Sequence, residues 1–346
     1  MRCLTASDEW CGPARSAAMS GLDEFSLIAR YFAPLAACHP GALGLTDDAA
    51  LIDGPQGRQW AVTADAMVAG VHFLPDDPPD LIARKLIRVN LSDLAAMGAK
   101  PFAILLASCF PRDLDGDWLE RFASGLKTDC EAFSIALIGG DTVATPGPLT
   151  LALTAIGDVA SGSALLRSNA RSGDDIWVSG AIGDAAFGLL VGLGEAASLA
   201  PAARQSLLNR YQLPSPRVTL GPALIGLAHA AMDISDGLVA DLGHICHVSK
   251  VGAVIEADKV PTSSAVRAAM AAGLGGLERV LTGGDDYELL FTASPDQRGA
   301  LERLGRTLDL SLTAIGRIID GQDVRVIDAF GQTQALSDGG YRHFRG

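Results

Sequence analysis

Apolar residues recur along this chain with two different spacings. Leu22, Phe25, Ile28, Ala29, Phe32 and Leu35 return every three or four positions, which predicts a helix over residues 22–38. Short apolar runs then predict strands at 49–52, 60–64 and 68–73. A helix over 81–97 follows, then a strand over 102–110 and a helix over 118–133. A buried strand at 135–138 and another at 149–156 complete the pattern of this half.

After Gly157 the composition turns to Ser, Gly, Ala and Arg, a linker signature that places a domain boundary between 158 and 159. Beyond it the strands are expected at 175–179, 230–234, 253–256, 287–293, 313–319 and 324–327. Helices are expected at 184–193, 202–213, 217–228 and 238–248, with one more between the strands at 253–256 and 287–293. Strands interleaved with helices in both halves predict an α/β (α+β) protein of two domains, 21–158 and 159–346. Residues 1–20 carry no periodicity and no apolar signal core, and read as an N-terminal extension, with Met19 an alternative start.

Composition narrows the function classes. Forty acidic residues against 27 basic ones give a formal charge of −13 over 346 residues, which argues against a nucleic-acid binder. No apolar run approaches the ~20 residues of a membrane-spanning helix, so a soluble protein without a membrane partner is expected. Cys3, Cys11, Cys38, Cys109, Cys130 and Cys246 form no Cys-x-x-Cys pair and read as reduced thiols of a cytoplasmic protein.

The carboxylates carry the chemistry. Six segments join an apolar element to Asp beside Gly, Ser or Thr: 44–48, 62–65, 90–93, 139–142, 233–237 and 283–288. A single Asp-Gly is most often a turn, but Asp at the end of a buried segment also faces the crevice where α/β proteins bind ligands. Like charges brought together raise one another's pKa, a cost that hard divalent cations remove. Mg²⁺ completes its shell with waters and substrate phosphates, so an acidic cluster can hold an anionic nucleotide. Neither a Walker lysine loop nor a His-Arg-Asp loop is present, which leaves metals and backbone amides to handle phosphate.

Taken in order, these segments resemble the thiamine-monophosphate kinase family, within the aminoimidazole-ribonucleotide-synthetase-like superfamily. The likeness runs from Glu24-Phe-Ser-Leu-Ile-Ala-Arg-Tyr-Phe32 through Thr63-Ala-Asp-Ala-Met-Val-Ala-Gly-Val-His-Phe73, Lys85 and Asn90-Leu-Ser-Asp93. It continues with Leu137-Ile-Gly-Gly-Asp-Thr142, Asp233-Ile-Ser-Asp-Gly-Leu238 with Asp241-Leu-Gly-His244, Gly283-Gly-Asp-Asp-Tyr-Glu-Leu289 and Gly340-Tyr-Arg-His-Phe344. The resemblance implies ATP-dependent phosphorylation of thiamine monophosphate to thiamine diphosphate, on a two-domain fold whose N-terminal strands pair across a homodimer. It implies several Mg²⁺ ions on Asp48, Thr63, Ala64, Asp65, Asp93, Asp141, Asp233 and Asp236. Gly140, Asp141, Arg167 and Ser235 would contact ATP, and His72, Asp285 and Tyr341 would line the acceptor pocket. Ala64 offers only a carbonyl where the family often has a hydroxyl, and Asp285 replaces a longer acid.

The implied chemistry needs no covalent or general-base residue. A phosphate monoester is largely dianionic near neutral pH, so its oxygen can attack the γ-phosphorus of ATP in line once charge is screened. Blander readings stand beside these roles: His72 as a structural imidazole, Arg167 as a domain-linking ion pair, Tyr341 as packing. His244 and His247 read as a polar helix face. Another ATP-using enzyme of the superfamily, a metal-dependent phosphohydrolase and a non-catalytic nucleotide-binding module are the competing functions.

Overall fold

The computed structural model describes residues 26, 28–37, 39–336 and 340. The extension at 1–20, Tyr341, Cys3, Cys11 and Cys38 lie outside the described residues. The described part of the first predicted helix is a wide turn at Ile28–Phe32 running into α1 (Ala33–Ala36). Its apolar face is not buried in the single chain: Phe32 and Leu35 are exposed.

The first domain is a five-stranded sheet of β1 (Ala50–Asp53), β2 (Arg58–Val68), β3 (Lys100–Pro111), β4 (Ala136–Thr145) and β5 (Thr150–Ala160), in the order β1-β2-β5-β3-β4. The pairings are antiparallel except β3 with β4. Helices α2 (Pro79–Ala96) and α3 (Gly116–Phe133) pack against each other. Alternate residues of β5 are buried, and Leu151, Leu153 and Ala155 meet Leu86, Leu91 and Leu94 of α2 in one core. That period-two burial is what a sheet covered on one face requires.

Three sequence expectations change here. The strand expected at 135–138 as a buried element is β4, which continues through Gly139 and Gly140 to Thr145 and is exposed along nearly its whole length. The two glycines extend the strand past a register shift opposite Ile104 and Leu105, and a Cβ on Gly140 would stand 1.8 Å from the Leu106 carbonyl oxygen. The strand expected at 68–73 is instead the end of β2 followed by a tight turn, where the Val68 N–H donates to His72 Nδ1 at 3.0 Å. Finally, β5 runs to Ala160, because its last residues still pair with Arg58 and Gln59 of β2.

The second domain holds β6 (Asp175–Ser179), β7 (Ala230–Asp233), β8 (Gly252–Glu256), β9 (Leu289–Ala293), β10 (Leu312–Ile319) and β11 (Val324–Ile327). They form one sheet in the order β11-β8-β10-β6-β9-β7. Its helices are α4 (Asp184–Gly192), α5 (Pro201–Gln212), α6 (Leu220–Leu224), α7 (Leu238–Ser249), α8 (Ser264–Ala271), α9 (Leu277–Thr282) and α10 (Arg298–Thr307). Where a helix is expected over 217–228, only the five residues of α6 are helical. Gly221 there lies so close to Ala95 that a Cβ would stand 2.0 Å from its carbonyl oxygen. This contact belongs to a shared core in which Ala95 and Ala96 of α2 meet Leu220, Leu224, Ala231 and Phe291. Helix α2 therefore touches both domains, and the α/β (α+β) architecture read from the sequence holds.

Candidate active site

The carboxylates converge between the two domains. Asp233 ends β7, Asp93 lies in the last turn of α2, and Asp48 precedes β1; one oxygen of each lies within 4.8 Å of the others. Burial pushes the Asp93 carboxyl well above the usual range, and the charges of Asp65, Asp233 and Asp48 push it further. Asp233 is pushed up to about 8, first by burial and then by Asp48, while Ser92 and Arg167 pull the other way. Such mutual repulsion in an all-oxygen donor set fits a hard divalent cation of the Mg²⁺ type. The Thr63 hydroxyl donates to Asp93 Oδ2 at 2.6 Å, which holds one carboxylate in place.

A pocket of about 500 Å³ surrounds this cluster, lined also by Ala64, Asp65, Ser235, Asp236 and Arg167. Arg167 opens a short turn just past the first sheet, and its guanidinium lies two-pronged on Asp48, Nε to Oδ2 at 3.1 Å. Its backbone N–H donates to Asp47 Oδ1 at 2.8 Å. Burial raises the Asp47 carboxyl to about 6, and Asp48 adds to the rise. Opposite, Asp241 of α7 accepts the backbone N–H groups of Ser235, Asp236 and Gly237 at 3.0 to 3.2 Å. One carboxylate thereby ties down the loop that presents Ser235 and Asp236.

A second cleft of about 490 Å³ adjoins the first and is lined by His72, Lys85, Tyr211, Gly284, Asp285 and Gly340, among others. Asp65, Ser235, Asp236 and Tyr287 line both, so the two spaces share a wall. Because the His72 Nδ1 accepts the Val68 N–H, a neutral imidazole there carries its proton on Nε2.

The segment at 283–288 divides its side chains between site and scaffold. Asp285 and Tyr287 adopt left-handed backbone with φ of 69° and 50°, which delays the strand expected from 287 until Leu289. Their side chains face the cleft, and the Tyr287 hydroxyl donates to Asp285 Oδ1 at 3.3 Å. Asp286 turns inward and accepts the Gly183 and Ala185 N–H groups at the start of α4. Glu288 is buried on Arg210, Arg217 and Ser179. Gly284 packs against the Ser235 loop so closely that a Cβ would stand 2.1 Å from the Ser235 carbonyl oxygen. Such left-handed non-glycine residues cost energy and persist where the surroundings hold them.

Residues 46–159 match the family model for the N-terminal domain of AIR synthase related protein, and 171–329 match the one for its C-terminal domain. The thiamine-monophosphate kinase of Caulobacter vibrioides is 39% identical over 325 residues, covering 92% of this chain and 91% of that protein. The chain belongs to the thiamine-monophosphate kinase family. The fold of AaThiL complexed with AMPPCP and TMP superposes with a TM-score of 0.83 at 30% identity, covering 96% of this chain and 100% of that one. The thiamine-monophosphate kinase of Stenotrophomonas maltophilia is 47% identical, with a TM-score of 0.73 over 90% of this chain and 98% of that one.

Within this thiamine-monophosphate kinase fold, Asp48, Thr63, Ala64, Asp65, Asp93, Asp233 and Asp236 line one pocket together with Arg167 and Ser235. His72 and Asp285 line the adjoining cleft. Gly140 and Asp141 stand apart: they lie on exposed β4 and line neither space in the single chain. Arg167 is both a pocket residue and the domain-linking ion pair of the blander reading. The two histidines of α7 separate, with His244 lining the carboxylate pocket and His247 exposed. Burial, then Arg167, lowers His244 to about 4. The roles of Lys85, Tyr211, Asp47 and Asp241 escaped the sequence reading. Lys85 and Asp241 stand inside the resembling segments, but nothing in their spacing tells a site residue from an ordinary helix position.

Proposed function

We propose that the chain transfers the γ-phosphoryl group of ATP to the phosphate of thiamine monophosphate, giving thiamine diphosphate and ADP. The observation that carries this reading is the shared wall of Asp65, Ser235, Asp236 and Tyr287 between a carboxylate-lined pocket and a second cleft. Two anionic groups can meet there without a covalent intermediate on the protein, as direct in-line transfer requires.

Asp48, Asp93 and Asp233 would hold Mg²⁺, with Thr63, Ala64, Asp65, Asp141 and Asp236 completing the set that the family resemblance implies. Bound there, the cations would supply positive charge that neutralises the phosphates. The chain's own residues do the rest. The Thr63 hydroxyl fixes Asp93, and Asp241 fixes the loop carrying Ser235 and Asp236. Arg167, with Gly140 and Asp141, belongs to the ATP side of the proposal. His72, Asp285 and Tyr341 belong to the acceptor side, where Gly340 lines the cleft. Burial and the charge of Asp285 hold the Tyr287 phenol protonated, so that it donates to Asp285 and takes no proton from the acceptor.

The active form in this proposal is a homodimer. Strand β4 ends its sheet among the described residues and exposes Leu137, Ile138 and Val143, with Ile138 at 60%. An apolar edge of this kind is a template for pairing with a second copy. Free thiols at Cys109, Cys130 and Cys246 support a reducing, cytoplasmic setting.

Phosphorus NMR of a mixture with Mg²⁺, ATP and thiamine monophosphate tests the reaction. Thiamine diphosphate should appear in step with ADP. ADP accompanied only by inorganic phosphate would overturn the reading in favour of a phosphohydrolase.

A further inference from the structure

Lys85 is a lysine in an unusual place. It lies on α2, is 2% exposed, and lines the acceptor cleft. Nζ donates to the His72 carbonyl at 2.9 Å and to Asp285 Oδ2 at 3.0 Å, and sits 4.1 Å from the centre of the buried Tyr211 ring. The remaining Asp285 oxygen accepts from the Tyr287 hydroxyl, so each carboxylate oxygen has its own donor. Asp285 remains 32% exposed at its side chain, which lines the cleft. A buried ammonium is expensive unless paired, and three separate elements supply its partners here.

We propose that Lys85 is a positioning residue that sets acceptor specificity by holding Asp285 in one orientation. The inference rests on the proposed acceptor role of this cleft. Lys85 and Asp285 together are close to neutral, so the pair offers little net charge to a cationic ring. What it offers is a directional acceptor: a carboxylate fixed on both oxygens, whose open lone pairs face polar hydrogens on the ring portion of the acceptor. Lys85 also spans the domains, joining α2 to the 283–288 segment, so acceptor binding and domain alignment share one contact. The alternative is plain charge attraction between an acidic Asp285 and the cationic thiazolium of the acceptor.

The two readings predict opposite signs for one substitution. Lys85→Gln leaves Asp285 uncompensated. If net charge governed acceptor binding, the KM for thiamine monophosphate would fall. If orientation governs it, that KM should rise about tenfold while the KM for ATP stays within about twofold and kcat within about threefold. The double variant with Asp285→Asn should be no worse than Asp285→Asn alone, because Lys85 acts through that carboxylate. Lys85→Met, which likewise removes the charge but puts an apolar side chain of similar length in the buried position, reads the same constants if the glutamine variant does not fold. A fall or no change in the acceptor KM, a matching rise for ATP, or additive effects in the double variant would each overturn the proposal. Wild-type turnover of thiamine monophosphate in the same assay tests the function reading separately.

Discussion

Arg167 and Asp48, 119 positions apart, close on each other through two guanidinium nitrogens, Nε and Nη2, and both carboxylate oxygens, and so tie the start of the second domain to the floor of the carboxylate pocket. The Asp48 side chain is fully buried and the Arg167 side chain only 16% exposed. Burial alone would lower the guanidinium pKa, but Asp48, Asp233 and Asp47 outweigh it and raise it. Removing the cation leaves a buried carboxylate among others of the same sign. Arg167→Met should therefore cost about 3–5 kcal/mol of stability, read as a lowered urea midpoint. Arg167→Lys keeps the charge but loses the fork and should fall between, with the KM for ATP raised in both.

Neighbouring acids of one motif should respond in opposite ways. Asp285→Asn strikes a side chain that faces the proposed acceptor cleft and should raise the KM for thiamine monophosphate by about tenfold or more. Asp286→Asn strikes a buried carboxyl that caps the start of α4, and its amide oxygen can still accept the Gly183 N–H. That variant should keep both KM values within about twofold at pH 7. Steady-state kinetics of the two, side by side, check the alternation.

Asp286 also predicts a pH dependence. Burial lifts its pKa from 3.8 to about 8, partly offset by the Gly183 N–H and Arg210. Between those values the folded chain holds a proton that the unfolded chain has lost, so stability falls as pH rises from 3.8 through about 8. Asp233, raised to about 8, and Asp47, raised to about 6, work in the same direction. In EDTA, Tm should drop by about 5 °C or more between pH 5.5 and 8.5, and Asp286→Asn should shrink that drop. A Tm that climbs over this range would contradict the assignment.

Much of this was legible in the sequence, and the failures have physical causes. The carboxylates were found because each ends or interrupts an apolar segment beside a small residue, as Asp233 does before Ser235 and Gly237. Strand β4 was cut short because Gly139 and Gly140 look like terminators, whereas here they permit a close approach to β3. The strand start at 287 was misplaced because left-handed backbone at Asp285 and Tyr287 leaves no mark on an apolar pattern. Lys85 was passed over because a lysine on an amphipathic helix is ordinarily a solvated one, and only the fold brings Tyr211 and Asp285 to it.

The proposed dimer turns on β4. Ile138→Lys places a charge on its exposed apolar edge without disturbing the buried face of the sheet. Light scattering should find the unchanged chain as a dimer and the variant largely as a monomer. A monomeric unchanged chain would overturn this part of the account.

The most direct test is ADP release from Mg²⁺-ATP with thiamine monophosphate, with thiamine, and with no acceptor. The account predicts turnover with the monophosphate alone, since only its phosphate can reach across the wall of Asp65, Ser235, Asp236 and Tyr287. Equal ADP release in all three mixtures would contradict it.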